Sequence, residues 1–382
     1  MSKKLLSLLL ILPALTFCAP KASENGSLKD IPEIHDADTV LATNVNVEKF
    51  LTEVSYPDTD YSFTKIFDYY GGYNESCTEE PDSDLPPVYC IRWDAEPGAG
   101  KLVFELKEPG AERTEILKRG SNCVSFTNLL PNTGYTFKVS SQKSGKVLTE
   151  GSFCTTGHLH QVWFKDNCRN ARDLGGWTTT DGKTVKYRKI YRGGRMEKWT
   201  LSKLGGKEVL QEGIKAQLDL RGHSDVLSAP AVQGLKFCAP VIEQGGPTML
   251  IDDAAKTKQC FDFILNCVKE DKPVYYHCSL GRDRTGTLTI LLLGVLGVAE
   301  GDISKEFELT YFAPRGWSIA YSEDNLIFAN DRTKWACEPT ASYLRSLAGD
   351  EGSIGQGAQN YLLSIGVSQE DIDCFRNLML TQ

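Results

Sequence analysis

The chain reads His277-Cys278-Ser279-Leu280-Gly281-Arg282-Asp283-Arg284-Thr285-Gly286 between two apolar stretches. The preceding run, 274–276, is typical of a short buried strand, and the following run, 288–298, is apolar on nearly all sides, as in a core helix. A tight loop between a strand and a helix directs backbone N–H groups and the positive end of the helix at one point. The sequence therefore predicts an anion-binding loop.

Two side chains give this loop its predicted chemistry. Cys278 lies where a helix end and a guanidinium lower a thiol pKa from about 8.5 to roughly 3.5–7.5, which makes it a thiolate nucleophile at neutral pH. Arg284 follows after five residues, and its planar fork can grip two phosphate oxygens. The alternative is a chance Cys-x5-Arg in a core loop, which the strand–helix frame disfavours.

The loop resembles the His-Cys-x5-Arg-Ser/Thr signature of the cysteine-dependent protein tyrosine and dual-specificity phosphatase superfamily. The resemblance implies that Cys278 attacks phosphorus, that Arg284 holds the phosphoryl group and that Thr285 helps the thiolate leave. It also implies that His277 orients the loop and supports the thiolate without acting as a base. The expected phosphate-binding residues are His277, Ser279, Leu280, Gly281, Arg282, Asp283 and Arg284.

Three further motifs narrow this resemblance. The chain has Asn-Ala-Arg-Asp-Leu-Gly-Gly-Trp at 170–177, Tyr-Arg-Gly-Gly at 191–194 and Leu-Asp-Leu-Arg at 218–221. In this order they are similar to the bacterial tyrosine-protein phosphatase family of the tyrosine/serine type, and the resemblance covers roughly residues 158–382. That family often has lysine where Arg282 stands, and a wide planar guanidinium can reach different phosphates.

The mechanism that the resemblance implies needs a group that protonates the leaving oxygen and later activates water. No Trp-Pro-Asp loop is visible in the sequence. We expect Asp219 to be this acid, because the aspartate of Asp-Leu-Arg lies near the catalytic loop in similar proteins. The alternative is a structural ion pair between Asp219 and Arg221. Asp283 is a second candidate, which could order Arg282 and Arg284, help to activate water or serve as the acid itself.

The first residues have the pattern of an export signal. Lys3 and Lys4 precede an apolar core at 5–17, which is too short to span a bilayer. Residues 15–18 resemble a bacterial lipoprotein box with a poor match at Phe17, so we expect a signal peptide over 1–18 and a lipid anchor at Cys18, with simple cleavage as the alternative. Residues 19–40 are expected to form a tether, which predicts a periplasmic, outer-membrane or cell-surface protein.

A separate β domain is predicted for residues 41–157. Strand-like runs at 88–93, 102–106, 123–126 and 135–139 are separated by turns such as Pro97-Gly98 and Pro109-Gly110. Residues 130–139 resemble the corner segment of a fibronectin type III domain, in which a tyrosine closes the turn before a core strand. Because such folds serve many functions, a spacer and a substrate-positioning surface are both open.

Composition and charge limit the classes of partner and cofactor that the chain is expected to bind. The 382 residues carry a net charge of −8, and no basic run appears beyond the first residues, which argues against nucleic acid. No Cys-x-x-Cys motif or Cys/His cluster indicates a metal, and no cofactor is expected. Twelve cysteines in an exported chain allow disulfides, while small buried apolar residues are the alternative for several, such as Cys90, Cys260 and Cys267.

These patterns together predict an α/β cysteine-phosphatase domain over 158–382, with a central sheet flanked by helices, after an all-β fibronectin type III or immunoglobulin-like sandwich. The predicted function is an exported protein tyrosine phosphatase, including the dual-specificity type, acting on phosphorylated proteins. One alternative is a phosphatase of phosphoinositides or inositol phosphates, in which Arg282 binds a second phosphate. Another is an inactive surface protein that binds phospho-ligands.

Overall fold

The computed structural model describes residues 31–56, 85–164, 168, 170–197, 203–243, 250–312, 337–349 and 352–382. The predicted signal peptide with Cys18, and most of the predicted tether, lie outside the described residues. Within these ranges, no helix combines the length and the hydropathy that crossing a membrane requires.

The described residues form twelve strands, seven α-helices and one 3-10 helix (Leu309–Phe312) with defined bounds, and 337–346 are also helical. The strands are β1 (Asp38–Leu41), β2 (Tyr89–Arg92), β3 (Leu102–Glu108), β4 (Ala111–Leu117), β5 (Cys123–Phe126), β6 (Gly134–Ser141), β7 (Val147–Thr156), β8 (Arg172–Asp173), β9 (Ile190–Gly193), β10 (Ala216–Asp219), β11 (Lys236–Cys238) and β12 (Val274–His277). The helices are α1 (Val45–Glu53), α2 (Lys203–Gln211), α3 (Ala254–Lys269), α4 (Asp283–Leu296), α5 (Glu300–Glu308), α6 (Ile354–Ser364) and α7 (Gln369–Met379).

The chain forms two compact units, and the first contains residues 31–38, 88–126 and 134–154. Antiparallel strands follow one another in the order β7-β6-β3-β4, and β2 pairs with β5 in a second sheet. Phe126 on β5 stacks on Phe104 and Phe153 of the larger sheet, with centroids 5.8 and 6.2 Å away. The four predicted strand runs are confirmed as β2, β3, β5 and β6, while the likeness to fibronectin type III stays a prediction.

The boundary of this unit differs from the predicted 41–157. Residues 39–56, 85–87 and 127–133 group with the second unit, as do the residues from 155 onward. The helix α1 groups with the second unit because of its packing. Val47, Phe50 and Leu51 share a buried apolar cluster with Leu159, Leu309 and Phe312. A helix with one apolar face packs against whichever core covers that face. The composition of the sequence around α1 does not show which core that is.

The second unit is built on a five-stranded sheet in the order β11-β10-β12-β9-β8. The first four of these strands are parallel, and β8 is antiparallel to β9. Val274 and Tyr276 of β12 point into one buried cluster and Tyr275 into another, so both faces of the sheet are covered. This burial on both sides explains why the strand sequence is continuously apolar, as is usual in parallel sheets.

Helices cover both faces of this sheet and confirm the predicted α/β architecture. Apolar residues of α3, α4, α6 and α7 share the cluster on one face, and Val209 of α2 lies in the cluster on the other. Every residue of α4 is buried, as its apolar sequence predicts. The hydroxyl of Ser368 accepts a hydrogen bond from the backbone N–H of Asp371 at 3.1 Å, which begins α7 at a capping residue.

The ten cysteines among the described residues are all free thiols. Cys90, Cys260 and Cys267 are buried at 1 % exposure or less, in agreement with a packing role. The described residues therefore contain no disulfide. Cys90, Cys260 and Cys267 act as small apolar side chains.

Replacement of Phe375 by alanine is expected to destabilise the second unit by about 3–5 kcal/mol. Phe375 is fully buried on α7, and its ring packs edge-on against Phe261 of α3 with centroids 5.3 Å apart. Urea-dependent hydrogen exchange of peptides from α3 would measure the loss. Leu363 on α6 is 39 % exposed, so Leu363→Ala should change the free energy by less than about 0.5 kcal/mol. Equal effects of the two substitutions would contradict this packing.

Candidate active site

Three parallel strands of the second unit end at one edge of the sheet. Asp219 of β10 is the register partner of His277 of β12, and His277 is the partner of Gly193 of β9. Cys278 follows His277 directly, so the predicted loop emerges from the central strand of the three. Ligands of α/β sheets bind outside the carboxyl ends of strands, and this edge is therefore the candidate site.

The backbone of the loop is turned so that its N–H groups converge. The carbonyl of Ser279 accepts from the backbone N–H of Arg195 at 3.3 Å, and the carbonyl of Gly281 accepts from Asn170 Nδ2 at 2.9 Å and from the guanidinium of Arg192. Within the described part of the chain, the N–H groups of Ser279, Leu280 and Gly281 have no acceptor. Because a trans peptide points its N–H opposite to its carbonyl, the carbonyls of Ser279 and Leu280, which accept from Arg195 and Asn170, turn the N–H groups of Leu280 and Gly281 to the other side, as an anion-binding nest requires.

Gly281 is the residue that allows this turn. Its φ is +72°, and a Cβ at this position would overlap the carbonyl group of Gly193. Both the backbone conformation and the close approach of β9 therefore exclude a side chain here. The helix α4 begins two residues later, with Arg282 at its N-cap position.

A buried frame of charges supports the outside of the loop. Arg172 and Arg192 are register partners on β8 and β9, and both are at most 3 % exposed. Glu306 on α5 lies between them, with Oε1 at 2.7 Å from Arg172 Nε and Oε2 at 3.0 Å from Arg192 Nη1. Burial, and next the charge of Arg192, lower the pKa of Arg172 to about 10. The two arginines of the sequence motifs thus form a structural support.

Cys278 lies at the floor of the loop and is 3 % exposed. Burial raises the pKa of its thiol, but the charge of Arg284 and a hydrogen bond from Thr285 outweigh burial, so the pKa is lowered from its usual 9.0. The backbone N–H of Cys278 donates to Thr285 Oγ1 at 2.8 Å, which holds the hydroxyl beside the sulfur. These two residues therefore stabilise a thiolate, the form that attacks electrophiles.

His277 is buried completely, and its pKa is lowered chiefly by that burial, against the opposing charge of Asp219. The side-chain oxygen of Gln217 accepts from the N–H of Ala231 at 2.8 Å, so its amide nitrogen faces His277 Nε2 at 2.9 Å and donates to it. The proton of the neutral ring then lies on Nδ1, 3.1 Å from the carbonyl oxygen of Cys278. His277 therefore orients the loop, as the sequence predicts, and cannot act as a base there.

Arg284 lies in the first turn of α4 and is 7 % exposed. Its Nη1 donates to the carbonyl of Ile242 at 2.9 Å and to the carbonyl of Leu220 at 3.3 Å. The segments after β10 and β11 together thus fix one side of the guanidinium. This position, close enough to Cys278 to lower its pKa, is where the fork can grip a phosphoryl group.

The second arginine of the loop has a different role from the one the sequence suggests. Arg282 is 5 % exposed, and its guanidinium contacts the carboxylate of Asp283 with Nε 3.1 Å from Oδ1. Asp283 is itself 7 % exposed. Of the three roles considered for Asp283, this geometry favours the ordering of an arginine, and Arg282 is neutralised by its neighbour.

Asp219 is held as the partner of an ion pair with Arg221, which favours the structural alternative over the expected role as the acid. Its carboxylate accepts from Arg221 Nε at 2.8 Å, Arg221 Nη2 at 2.7 Å, the N–H of Arg221 at 3.1 Å and the N–H of Leu227 at 3.0 Å. Burial raises its pKa, but His277 and Arg221 reverse this, and the net pKa is below the usual 3.8. A carboxylate with four donors and a lowered pKa has no proton to give at neutral pH.

Three residues that the sequence did not single out also belong to the site. Gln217 sets the tautomer of His277, and Glu306 joins the two framing arginines. Asp225 is half-buried, and its Oδ2 accepts a hydrogen bond from Ser279 Oγ at 2.5 Å. Gln217 lies on β10, Asp225 on the turn after it and Glu306 on α5, so tertiary structure alone brings them to the loop and no local pattern could have found them.

A family model described as the tyrosine phosphatase family matches residues 165–381, which is more than half of the chain. A Cupriavidus necator protein, provisionally named a tyrosine-protein phosphatase, is 29 % identical over 170 residues, covering 38 % of this chain and 60 % of the relative. A Nostoc commune tyrosine-protein phosphatase is 30 % identical over 122 residues, covering 30 % of this chain and 41 % of the relative. The chain thus matches less than two thirds of either protein.

Among solved structures, P. aeruginosa TpbA in complex with pTyr is 14 % identical to this chain. The similarity covers 39 % of this chain and 90 % of TpbA, with a TM-score of 0.27. A score of this size carries no argument for function.

Removal of the Thr285 hydroxyl is expected to raise the pKa of Cys278. A hydrogen bond to a charged group is worth about 1.5–3 kcal/mol, and one pKa unit corresponds to about 1.4 kcal/mol, so Thr285→Val should shift the midpoint upward by about one pH unit or more. The rate of iodoacetamide alkylation of the Cys278 peptide against pH, followed by mass spectrometry, would measure it. Thr287, whose hydroxyl bonds the carbonyl of Asp283 on the same helix, gives the matched control Thr287→Val. An unchanged midpoint in Thr285→Val would refute the assigned hydrogen bond.

Asp219→Asn is expected to cost about 3–5 kcal/mol of stability, because it leaves the buried Arg221 without its main partner. Since the folded pKa of Asp219 is lowered, its contribution is present above the usual 3.8 and is lost as the pH falls below that value. Urea unfolding between pH 3 and 8 should therefore show wild type and variant converging at the acid end. Asp94→Asn, at an exposed position, is the control. A stable Asp219→Asn variant that has lost the alkaline limb of its pH–rate profile would restore the acid role.

Proposed function

The chain belongs to the tyrosine phosphatase family, and we propose that it is a protein tyrosine phosphatase that hydrolyses phosphomonoesters through a phosphocysteine intermediate. One observation carries the proposal. A cysteine with a lowered pKa lies beside Arg284 and beneath three backbone N–H groups that have no acceptor among the described residues. A nucleophile and an oxyanion cradle at the same point are what phosphoryl transfer to a side chain requires.

The proposed reaction has two steps. In the first, the sulfur of Cys278 attacks phosphorus, the S–P bond forms, and the ester P–O bond breaks as the leaving oxygen takes a proton. In the second, water attacks phosphorus, the S–P bond breaks, and a base takes a proton from the water. The hydrogen bond from Thr285 stabilises the sulfur whenever it carries negative charge, which favours its departure in the second step. The loop N–H groups and Arg284 stabilise the charge on the phosphoryl oxygens in both steps.

The depth of the nucleophile supports a phosphotyrosine-like substrate. Cys278 is 3 % exposed, and a phosphoryl group on a long aromatic side chain reaches such a floor more easily than one on the short side chain of serine. The runner-up, a phosphoinositide or inositol-phosphate phosphatase, relied on Arg282 to bind a second phosphate. The ion pair with Asp283 opposes that use, because a second phosphate would have to compete with a carboxylate already in place.

An inactive phospho-ligand binding protein is the proposal from another class. Such a protein needs the cradle but not the nucleophile. The lowered pKa of Cys278 and the placement of Thr285 beside it add nothing to binding alone, and they speak against this alternative.

Export, the lipid anchor at Cys18 and the fibronectin-like character of the first unit are further proposals. The first two rest on the signal-like sequence of residues 1–18, and the third on the corner segment at 130–139. The proposed cellular location depends on export and on the lipid anchor. The most direct test is to determine whether Cys18 is acylated in the native host.

Cys278→Ser should abolish hydrolysis of p-nitrophenyl phosphate while leaving the fold intact, because serine is not ionised at neutral pH. Acid quenching of the wild type during turnover should leave labelled phosphate on the Cys278 peptide. Cys154→Ser, at an exposed cysteine of the first unit, is the matched control and should keep full activity. Folded wild-type protein without turnover would favour the inactive binding protein, and turnover without a labelled Cys278 would exclude the phosphocysteine.

A further inference from the structure

We propose that Asp225 is the general acid and base of the reaction, which gives a proton to the leaving oxygen and later takes one from water. The inference rests on the proposed phosphatase function and deepens it by naming a residue that the sequence motifs leave out. The structure supports it through one contact to the loop and through the ion pairs that already engage the two other candidates, Asp219 and Asp283.

The contact places Asp225 at the loop. Ser279 follows the nucleophile directly, and its hydroxyl donates to Asp225 Oδ2 at 2.5 Å. Asp225 is half-buried, in contrast to the fully buried Asp219, so its carboxylate lies between the loop and solvent. A group that protonates a leaving oxygen must lie at the opening of the cradle, where the alcohol departs, and not at its floor.

The turn that carries Asp225 is fixed at both ends. The N–H groups of Asp225 and Val226 donate to the carbonyl of Gly222 at 3.2 and 2.9 Å. Asp219 accepts from the N–H of Arg221 before the turn and from the N–H of Leu227 after it. The carboxylate of Asp219 therefore serves as a clamp that holds the turn, and with it Asp225, against the catalytic loop.

The partners of Asp225 are neutral hydroxyl groups. The hydroxyls of Ser279 and Ser224 donate to it, the latter at 3.4 Å, and no cation pairs with it among the described residues. By contrast, Glu197, Asp219, Glu243 and Asp283 are each bound to a cationic side chain or to a histidine. The charged and titratable groups of the surrounding elements include Glu197, Asp219, Arg221, His223, Glu243, His277, Cys278, Arg282, Asp283 and Arg284, together with Arg195 and Lys256.

The proton balance closes with this one carboxyl group. Protonated Asp225 gives its proton to the ester oxygen as the P–O bond breaks, which releases a neutral alcohol and leaves a carboxylate. That carboxylate then takes a proton from the attacking water as the S–P bond of phosphocysteine breaks. Inorganic phosphate leaves, and Asp225 is again protonated, so no further reactant is needed.

The test compares Asp225→Asn with wild type on two esters of different leaving group. Loss of a general acid costs roughly 10²–10⁴-fold where the leaving group needs protonation. We therefore expect a loss of at least about 100-fold in kcat on phenyl phosphate, and little change in the burst of 2,4-dinitrophenolate from its phosphate ester. The fall of kcat/KM at alkaline pH should be absent from the variant on phenyl phosphate.

Two variants separate the acid role from a positioning role. Ser279→Ala removes the hydrogen bond but leaves the carboxylate, so it should keep the alkaline limb and the weak dependence on leaving group. Asp94→Asn, exposed in the first unit, is the control for charge and should match wild type. The acid role is overturned if Ser279→Ala shows the same pH profile and leaving-group dependence as Asp225→Asn. It is also overturned if folded Asp225→Asn releases both leaving groups more slowly by the same factor. An active wild type with an unchanged Asp225→Asn overturns the inference alone, whereas an inactive folded wild type overturns the proposed function as well.

Discussion

The outward pull on the Gly281 carbonyl is the interaction on which the site depends. Arg192 and Asn170 both donate to this one oxygen, and because a trans peptide points its N–H opposite to its carbonyl, the N–H of Arg282 is turned to the inside of the loop. Arg192 can do so only as a buried cation, which would be costly without a carboxylate in contact. Glu306 supplies that charge and spans Arg192 and Arg172, so the helix α5 and the strands β8 and β9 are all required by the geometry of one loop.

The pair of Asp219 and Arg221 belongs to the same support. Both side chains are fully buried at the end of β10, and the carboxylate also accepts from the backbone on either side of the following turn. The same segment gives the carbonyl of Leu220 to Arg284, whose other carbonyl partner, Ile242, follows β11, so the stretch that carries the half-buried Asp225 also helps to fix the phosphate-gripping arginine. Burial that makes a carboxylate a strong clamp also removes it from proton transfer, and this divides the two tasks between two aspartates.

The sequence predicted what is local and missed what depends on the order of the strands. Cys278, Arg284 and the strand and helix around them lie within one stretch, where periodicity and spacing are enough. The sequence left the choice between an acid role and an ion pair for Asp219 open, because nothing in Asp-Leu-Arg shows that Arg221 folds back onto it. Asp225 and Gln217 are polar residues in unremarkable surroundings, and only the pairing of β10 with β12 brings them to the loop. The bounds of the first unit could not be read from local patterns either, because α1 packs with residues more than a hundred positions away.

The position of Arg282 shows why loop composition alone does not define a substrate. Two arginines flank Asp283, yet the carboxylate pairs in the structure with Arg282, while Arg284 is held by carbonyls. A carbonyl fixes a guanidinium without cancelling its charge, whereas a carboxylate cancels it. The loop therefore presents one effective cation to a phosphoryl group, which is sufficient for a monoester. A substrate with several phosphates would need a cation from another element to bind its second phosphate, because Arg282 is paired with Asp283 within the loop.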